Sequence, residues 1–259
     1  MREISSNQNP IVKGMRALRD GRARAEQGRL LVEGEKMIRE AVSCGLTPFD
    51  ALVSAPKGEK FAPFAAWLEE QGANVYLVPE RLIEAVSDTK SPQGVVAAFS
   101  MPVFAGEAGE KVIALDAVQD PGNVGTIWRT ADAAGFSTLY VGEGSADPFS
   151  LKVQRSAMGS AFRLPVRMGN LAAMLATLKA KGYQIVAGAL DGMEFRACPP
   201  LGRRLAVVIG NEARGVSPEV LALADVRLRL PMRGGAESLN AAVAAGILMY
   251  ALTVLREEE

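Results

Sequence analysis

The sequence predicts an α/β protein in two parts, and three observations carry that prediction. Short apolar runs alternate with helix-period segments along the chain. The later runs, such as Ala206-Val207-Val208-Ile209, are apolar without alternation, as in a parallel sheet covered on both faces. Between the two parts, residues 101–110 hold Pro102, Gly106, Gly109 and acids without periodicity, which reads as a linker. The expected layout is a small α/β domain over residues 1–101, a linker over 102–110 and a larger domain over 111–259. The larger domain is expected to hold a parallel sheet between helices.

In the first part, residues 11–24 read as one helix, with Val12, Met15 and Leu18 at helical spacing. A strand over 30–32, a helix over 35–43, a strand over 51–54, a helix over 63–71 and strands over 75–78 and 95–99 follow. In the second part, a strand over 112–115 leads into a helix over 124–134 and a strand over 138–141. A helix over 171–181, strands over 184–189 and 205–209, a short helix over 218–223 and a strand over 226–230 come next. The last helix is expected over 239–255, with Ser238 as its N-cap. Asn240 then falls in the first turn, where capping explains it less well.

Composition narrows the chemistry. The 259 residues include no histidine. This excludes a Ser-His-Asp triad, a Cys-His pair and an HExxH zinc site. Cys44 and Cys198 stand far apart in sequence, so no metal site is expected and a reducing, cytoplasmic compartment is. The first seven residues lack the apolar stretch of a signal peptide. The apolar run over 241–255 is shorter than the roughly 18 residues of a membrane span. Lysine and arginine number 29, as do aspartate and glutamate. The neutral sum hides two basic stretches, and neutrality does not exclude a nucleic-acid partner. Residues 1–30 include Lys13, Arg16, Arg22 and Arg24, and residues 149–169 include Lys152, Arg155 and Arg163. Both stretches read either as phosphate-tracking surfaces or as solvated helix faces.

In a parallel sheet, ligands bind beyond the carboxyl ends of the strands. The loops after Leu115, Ile209 and Leu230 are therefore where chemistry is expected. The first runs from Asp116 through Pro121-Gly122-Asn123-Val124-Gly125 to Arg129, and by itself also fits a tight strand-to-helix turn. The second, Gly210-Asn211-Glu212-Ala213-Arg214-Gly215, holds an acid that also fits a solvated surface carboxylate. The third runs from Pro231-Met232-Arg233-Gly234 to Ser238-Leu239-Asn240. Backbone N–H groups at the following helix start suit a polar or anionic group.

Taken together, in this order and spacing, the three loops resemble the signature motifs of the SpoU (TrmH-like) RNA 2'-O-ribose methyltransferases of the SPOUT superfamily. Asn123, Gly125 and Arg129 match the first motif. Gly210, Glu212 and Gly215 match the second, with Ala213 where many members have glycine. Pro231, Met232, Gly234, Ser238, Leu239 and Asn240 match the third. The resemblance covers about residues 110–256. More loosely, the first hundred residues are similar to the L30e/L7Ae-like substrate-binding domain of rRNA-modifying members, through residues 6–13 and 29–34.

The resemblance implies a deep trefoil knot in the second domain and methyl transfer from S-adenosylmethionine to a ribose 2'-hydroxyl. It implies a cofactor wall of Ile209, Gly210, Leu230, Pro231 and Leu239, with Gly188 a weaker candidate. It gives the catalytic positions to Asn123, Arg129, Glu212, Ser238 and Asn240. A guanidinium gives up its proton too reluctantly to serve as a base, so Arg129 is expected to clamp the neighbouring phosphate while the others orient it and the ribose. Ribosomal RNA is the expected substrate, with tRNA as the alternative, and a homodimer through the knot domain is expected. The Ala/Gly-rich stretch over 241–246 fits that interface or packing inside its own subunit. Two rival readings remain at this point. Gly142-Glu143-Gly144 hints at a Rossmann-type site, but Asp147 stands where a third glycine belongs. The other rival is a non-catalytic RNA-binding scaffold.

Overall fold

The computed structural model describes residues 2–87, 89 and 91–253. The chain divides into two compact units: Met1–Val103 with Phe149–Gln154, and Phe104–Pro148 with Arg155–Glu259.

The first unit holds β1 (Arg2–Glu3), α1 (Pro10–Ala17), α2 (Gly21–Gln27), β2 (Arg29–Glu33), α3 (Glu35–Ser43), β3 (Pro48–Ser54), α4 (Gly58–Glu70), β4 (Asn74–Val78), α5 (Glu80–Ser87) and β5 (Val95–Ser100). Its sheet runs in the order β1-β4-β3-β5-β2. β1 and β3 are parallel to β4, whereas β5 is antiparallel to β3 and β2. The helix expected over 11–24 is two helices. Asp20 ends the first run because its carboxylate accepts the Arg22 and Ala23 N–H groups and caps α2. Val12, Met15 and Leu18 are buried against Leu52, Tyr76, Leu82 and Val86, so the apolar spacing pointed to the right face.

The second unit holds β6 (Lys111–Asp116), α6 (Pro121–Ala133), β7 (Thr138–Gly142), α7 (Leu151–Ala157), α8 (Ser160–Arg163), β8 (Val166–Gly169), α9 (Leu171–Ala180), β9 (Gln184–Glu194), β10 (Leu205–Gly210), α10 (Pro218–Leu221), β11 (Val226–Arg229) and α11 (Ala241–Leu252). α7 straddles the division between the units. The sheet is wholly parallel, in the order β11-β9-β10-β6-β7-β8. Leu171, Leu175 and Leu178 of α9 pack with Val112, Ala114, Ile185, Ala206 and Val208. α6 and α11 pack against one another, and α11 against β9 and β10. Burial under helices is why these strands are apolar without alternation.

β6 is followed by β7 and β8 on one side, while the chain returns through β9, β10 and β11 on the other. Strand order therefore reverses where β6 meets β10, the position at which a parallel sheet opens a crevice beyond its strand ends. Leu115 pairs with Ile209 and Asp116 with Gly210 at that place. Two of the three unusual loops leave the sheet side by side there.

The last helix differs from its expected bounds. It begins at Ala241, and Asn240 is its N-cap: the side-chain oxygen accepts the Ala242 and Val243 N–H groups at 2.9 and 3.2 Å. Ser238 is not the cap, and residues 254 and 255 lie outside the described residues. β9 is longer than expected, because β11 pairs with it as far as Glu194 across a register shift between Arg227 and Leu228. No helix among the described residues is long and apolar enough to cross a membrane.

Candidate active site

The loop after β6 is held in shape by groups from the loop after β10. Asn211 is buried, and its side-chain amide donates to the Ala117 carbonyl at 2.8 Å. Ala117 has φ +54, a left-handed conformation that a Cβ disfavours by roughly 1–2 kcal/mol, so this bond fixes a strained turn. The Asn211 side-chain oxygen accepts from Ala213 and Arg214, which curls its own loop. Asp116 accepts the Ser217 N–H at 2.6 Å, closing the same loop against the end of β6. Gly210 admits no side chain, since a Cβ there would lie 2.2 Å from the backbone of Gly215 and Val216.

That framework places Glu212. Its carboxylate accepts the Gln119 and Asp120 N–H groups at 3.1 and 3.2 Å and the Asn123 side-chain amide at 2.9 Å. Partial burial pushes the Glu212 carboxyl up, but the bonds from Asn123 and the backbone outweigh this and hold it below its ordinary value. It is therefore an acceptor at neutral pH. Asn123, buried in the first turn of α6 behind its Asp120 cap, accepts the Asn240 side-chain amide at 2.8 Å through its own oxygen. One chain of hydrogen bonds, Asn240 to Asn123 to Glu212, thus ties all three loops.

Arg129 lies on α6, six residues past Asn123. It is exposed, and its guanidinium makes no hydrogen bond or ion pair with the described residues. Ser238 is exposed and likewise makes no hydrogen bond with them.

A cavity of about 630 Å³ opens beside this chain of bonds. Gly188, Ile209, Gly210, Leu230 and Leu239 line it, as do Glu212 and Ser238. Pro231 does not, although Leu230 and Met232 on either side of it do. Asn123, Arg129 and Asn240 are also absent from the lining. Asp116, Asn211 and Asp120 hold this site together although no motif in the sequence marks them. The available signal was polarity at the end of an apolar strand, which distinguishes no partner.

The basic residues separate into three groups. Lys13, Arg16 and Lys152 are exposed and Arg155 is half-buried. Arg22 and Arg163 are exposed but paired, with Glu26 and Asp132 respectively. Arg24 is a correction. It is 3% exposed and donates to the Leu18 and Arg19 carbonyls at 2.8 and 2.9 Å, so it closes the α1–α2 turn and presents no charge to a phosphate. Burial lowers its pKa, against the opposing pull of Asp20.

Loops gathered at the switch point of a parallel sheet, around a cavity of small and apolar residues, define a ligand-binding α/β domain. The chain belongs to the SpoU rRNA methylase family, whose model matches residues 110–250. An MRM3-like substrate binding domain model matches residues 9–97. The chain is 39% identical to the 23S rRNA (guanosine(2553)-2'-O)-methyltransferase RlmP of Bacillus subtilis, over 97% of this chain and 99% of that one. Among solved structures, the AdoMet-bound rRNA methyltransferase of Sinorhizobium meliloti aligns with a TM-score of 0.82 at 34% identity, covering 97% of each chain. The SpoU methyltransferase AviRb of Streptomyces viridochromogenes, in complex with AdoMet, aligns with a TM-score of 0.82 at 26% identity, covering 96% of this chain and 99% of that one.

Proposed function

We propose that this chain transfers a methyl group from S-adenosylmethionine to a ribose 2'-hydroxyl of ribosomal RNA. The observation that carries the reading is the Asn240–Asn123–Glu212 hydrogen-bond chain beside the cavity. Family membership and the likeness to RlmP support the substrate and the chemistry.

The residues fit the cofactor. The cavity falls in the size range of small-molecule sites and is lined mainly by small and apolar groups. Gly188 and Gly210 line the cavity without side chains, while Ile209, Leu230 and Leu239 offer apolar walls for an adenosyl group. Bound there, S-adenosylmethionine supplies a methyl group already activated on a positively charged sulfur.

The remaining work is done by the chain. A ribose hydroxyl is a weak nucleophile and loses its proton during attack. Arg129, exposed and unpaired among the described residues, clamps the phosphate next to the reacting ribose with its planar fork and lowers the cost of the developing negative charge. Glu212, Asn123 and Asn240 hold the three loops in one arrangement, and Ser238 faces the ribose from the third loop. None of these roles needs an imidazole.

The family also supports a trefoil knot in the second unit and an L30e-like first domain. With them go the boundaries 1–101, 102–110 and 111–259, the first domain gripping structured RNA. Lys13 and Arg16 are phosphate contacts of this reading, with Lys152, Arg155, Arg22 and Arg163 joining them as they exchange their present partners for phosphate. α11 pairs with a second copy through Val243 and Ile247, one helical turn apart and exposed by 51% and 39%. The enzyme works in the cytoplasm.

The test is a map of 2'-O-methylation across ribosomal RNA from cells with and without the gene, paired with transfer of labelled methyl by the purified chain. Loss of methylation at one nucleotide, restored in vitro, is the expected result. An unchanged map together with no transfer to unmodified ribosomal RNA overturns the reading.

A further inference from the structure

A second cavity, of about 300 Å³, lies in the second unit at the amino ends of the strands, opposite the three loops. Its lining includes Arg167 on β8, Lys181 after α9, and Arg204, which immediately precedes β10. It also includes Tyr140 and the carboxylates Glu107 and Glu110.

Two features of this cavity suit an anion, and both of its arginines, Arg167 and Arg204, are exposed. The first is unpaired positive charge. Lys181 is paired with Glu107 at 2.8 Å. The guanidinium groups of Arg167 and Arg204 have no carboxylate partner among the described residues, and each donates only to a backbone carbonyl, of Gly106 and Lys181 respectively. A carbonyl takes a hydrogen bond without cancelling a charge. The second is Tyr140, a buried residue with a relative exposure of 7%. Its hydroxyl makes no hydrogen bond with the described residues and stays accessible from the cavity, so it is open to a ligand. The neighbouring Tyr183 hydroxyl is satisfied, donating to the linker carbonyls of Ala108 and Gly109.

The geometry points to this cavity as a binding site for a phosphoryl dianion, held by Arg167, Arg204 and the Tyr140 hydroxyl, with Glu107 as the chain's own competing anion. A phosphoryl group offers three acceptor oxygens and suits two guanidinium forks and a neutral hydroxyl donor. Burial raises the Tyr140 pKa, against a smaller opposing pull from Arg167, so the hydroxyl stays protonated at neutral pH. The exposed Glu107 carboxyl is held low, chiefly by its hydrogen bond to Lys181 and then by the charges of Lys181, Arg204 and Arg167. The place already attracts an anion. The site is independent of the methyl-transfer reading.

The test titrates inorganic phosphate, adenosine monophosphate and a short RNA oligomer into the full chain at low ionic strength, by calorimetry. Saturable binding is expected. Glu107→Gln should tighten it severalfold by removing the competitor. Tyr140→Phe, which keeps the ring and its packing, should weaken it by about fivefold or more, and Arg204→Met at least as much. RNA binding more tightly than phosphate, with the same response to the variants, overturns the dianion and assigns the site to the monoanionic phosphodiester of an RNA backbone. Equal binding of phosphate and RNA assigns a free phosphate. No saturable binding in either the natural chain or Glu107→Gln overturns the proposal. So does binding that Tyr140→Phe and Arg204→Met leave unchanged.

Discussion

The Asn240 side-chain amide donates to the Asn123 side-chain oxygen at 2.8 Å, across 117 residues of sequence. The same Asn240 side chain caps α11 through its oxygen. One residue therefore sets both the start of the last helix and the orientation of the Asn123 amide, whose nitrogen is committed to Glu212.

These two jobs separate in Asn240→Asp. Aspartate caps as well as asparagine does, so thermal stability should change by less than about 1 kcal/mol. Its carboxylate would instead oppose the Asn123 oxygen, and methyl transfer should fall by about tenfold or more. Melting curves and single-turnover transfer measured together check this. A variant that loses stability but transfers normally would show the cap alone to matter.

Glu212 predicts a pH effect. Its folded-state pKa lies below its ordinary value of 4.5. The stabilisation is fully present above about pH 4.5 and is lost as pH falls through the depressed folded value. Glu212→Gln lacks that titration and leaves an amide donor facing a backbone donor. The variant should be less stable at neutral pH, and the gap between the two proteins should narrow towards pH 3. Denaturant midpoints across pH 3–7 measure it, and a gap constant with pH would argue against the sign.

Gly210→Ala puts a Cβ 2.2 Å from the Gly215 backbone. The loop must move, at a cost of about 1–3 kcal/mol, and S-adenosylmethionine binding by calorimetry should weaken or vanish. Gly234 has open space around it, so Gly234→Ala should behave like the natural protein.

Arg129→Lys tests the clamp. The side chain is exposed and without partners among the described residues, so stability should stay within about 0.5 kcal/mol. Turnover should drop by about tenfold or more, because an ammonium lacks the planar fork. Near-normal turnover and RNA affinity in this variant would sink the idea.

Arg24 and Arg16 should part company. Arg24→Ala removes two charge-assisted bonds inside the α1–α2 turn and should cost about 2–3 kcal/mol of stability. Arg16→Ala should leave stability alone and reduce the salt dependence of RNA binding by about one unit of slope. An unchanged slope would take Arg16 out of the interface.

Much of this molecule was written locally. Apolar runs marked the strands of both units, because burial under helices demands apolar residues on both faces and leaves a continuous signal. The spacing of Asn123, Arg129, Glu212 and Asn240 marked the family, since a motif is itself a local pattern. What required the fold were the partners. Nothing in the sequence distinguishes Arg24 from Arg16, eight residues earlier. Only the turn imposed by Asp20 decides that one is buried against carbonyls and the other faces solvent. Ser238 and Asn240 are both competent caps, and Asn240 takes the helix because its amide also reaches Asn123 from another loop. Asn211, Asp116 and the unpartnered Tyr140 hydroxyl have meaning only once β6, β7 and β10 lie side by side. Propensity and pattern act over a few residues, whereas the bonds of Asn211, Asp116 and Asn240 join positions about a hundred apart, and only tertiary packing brings such positions together.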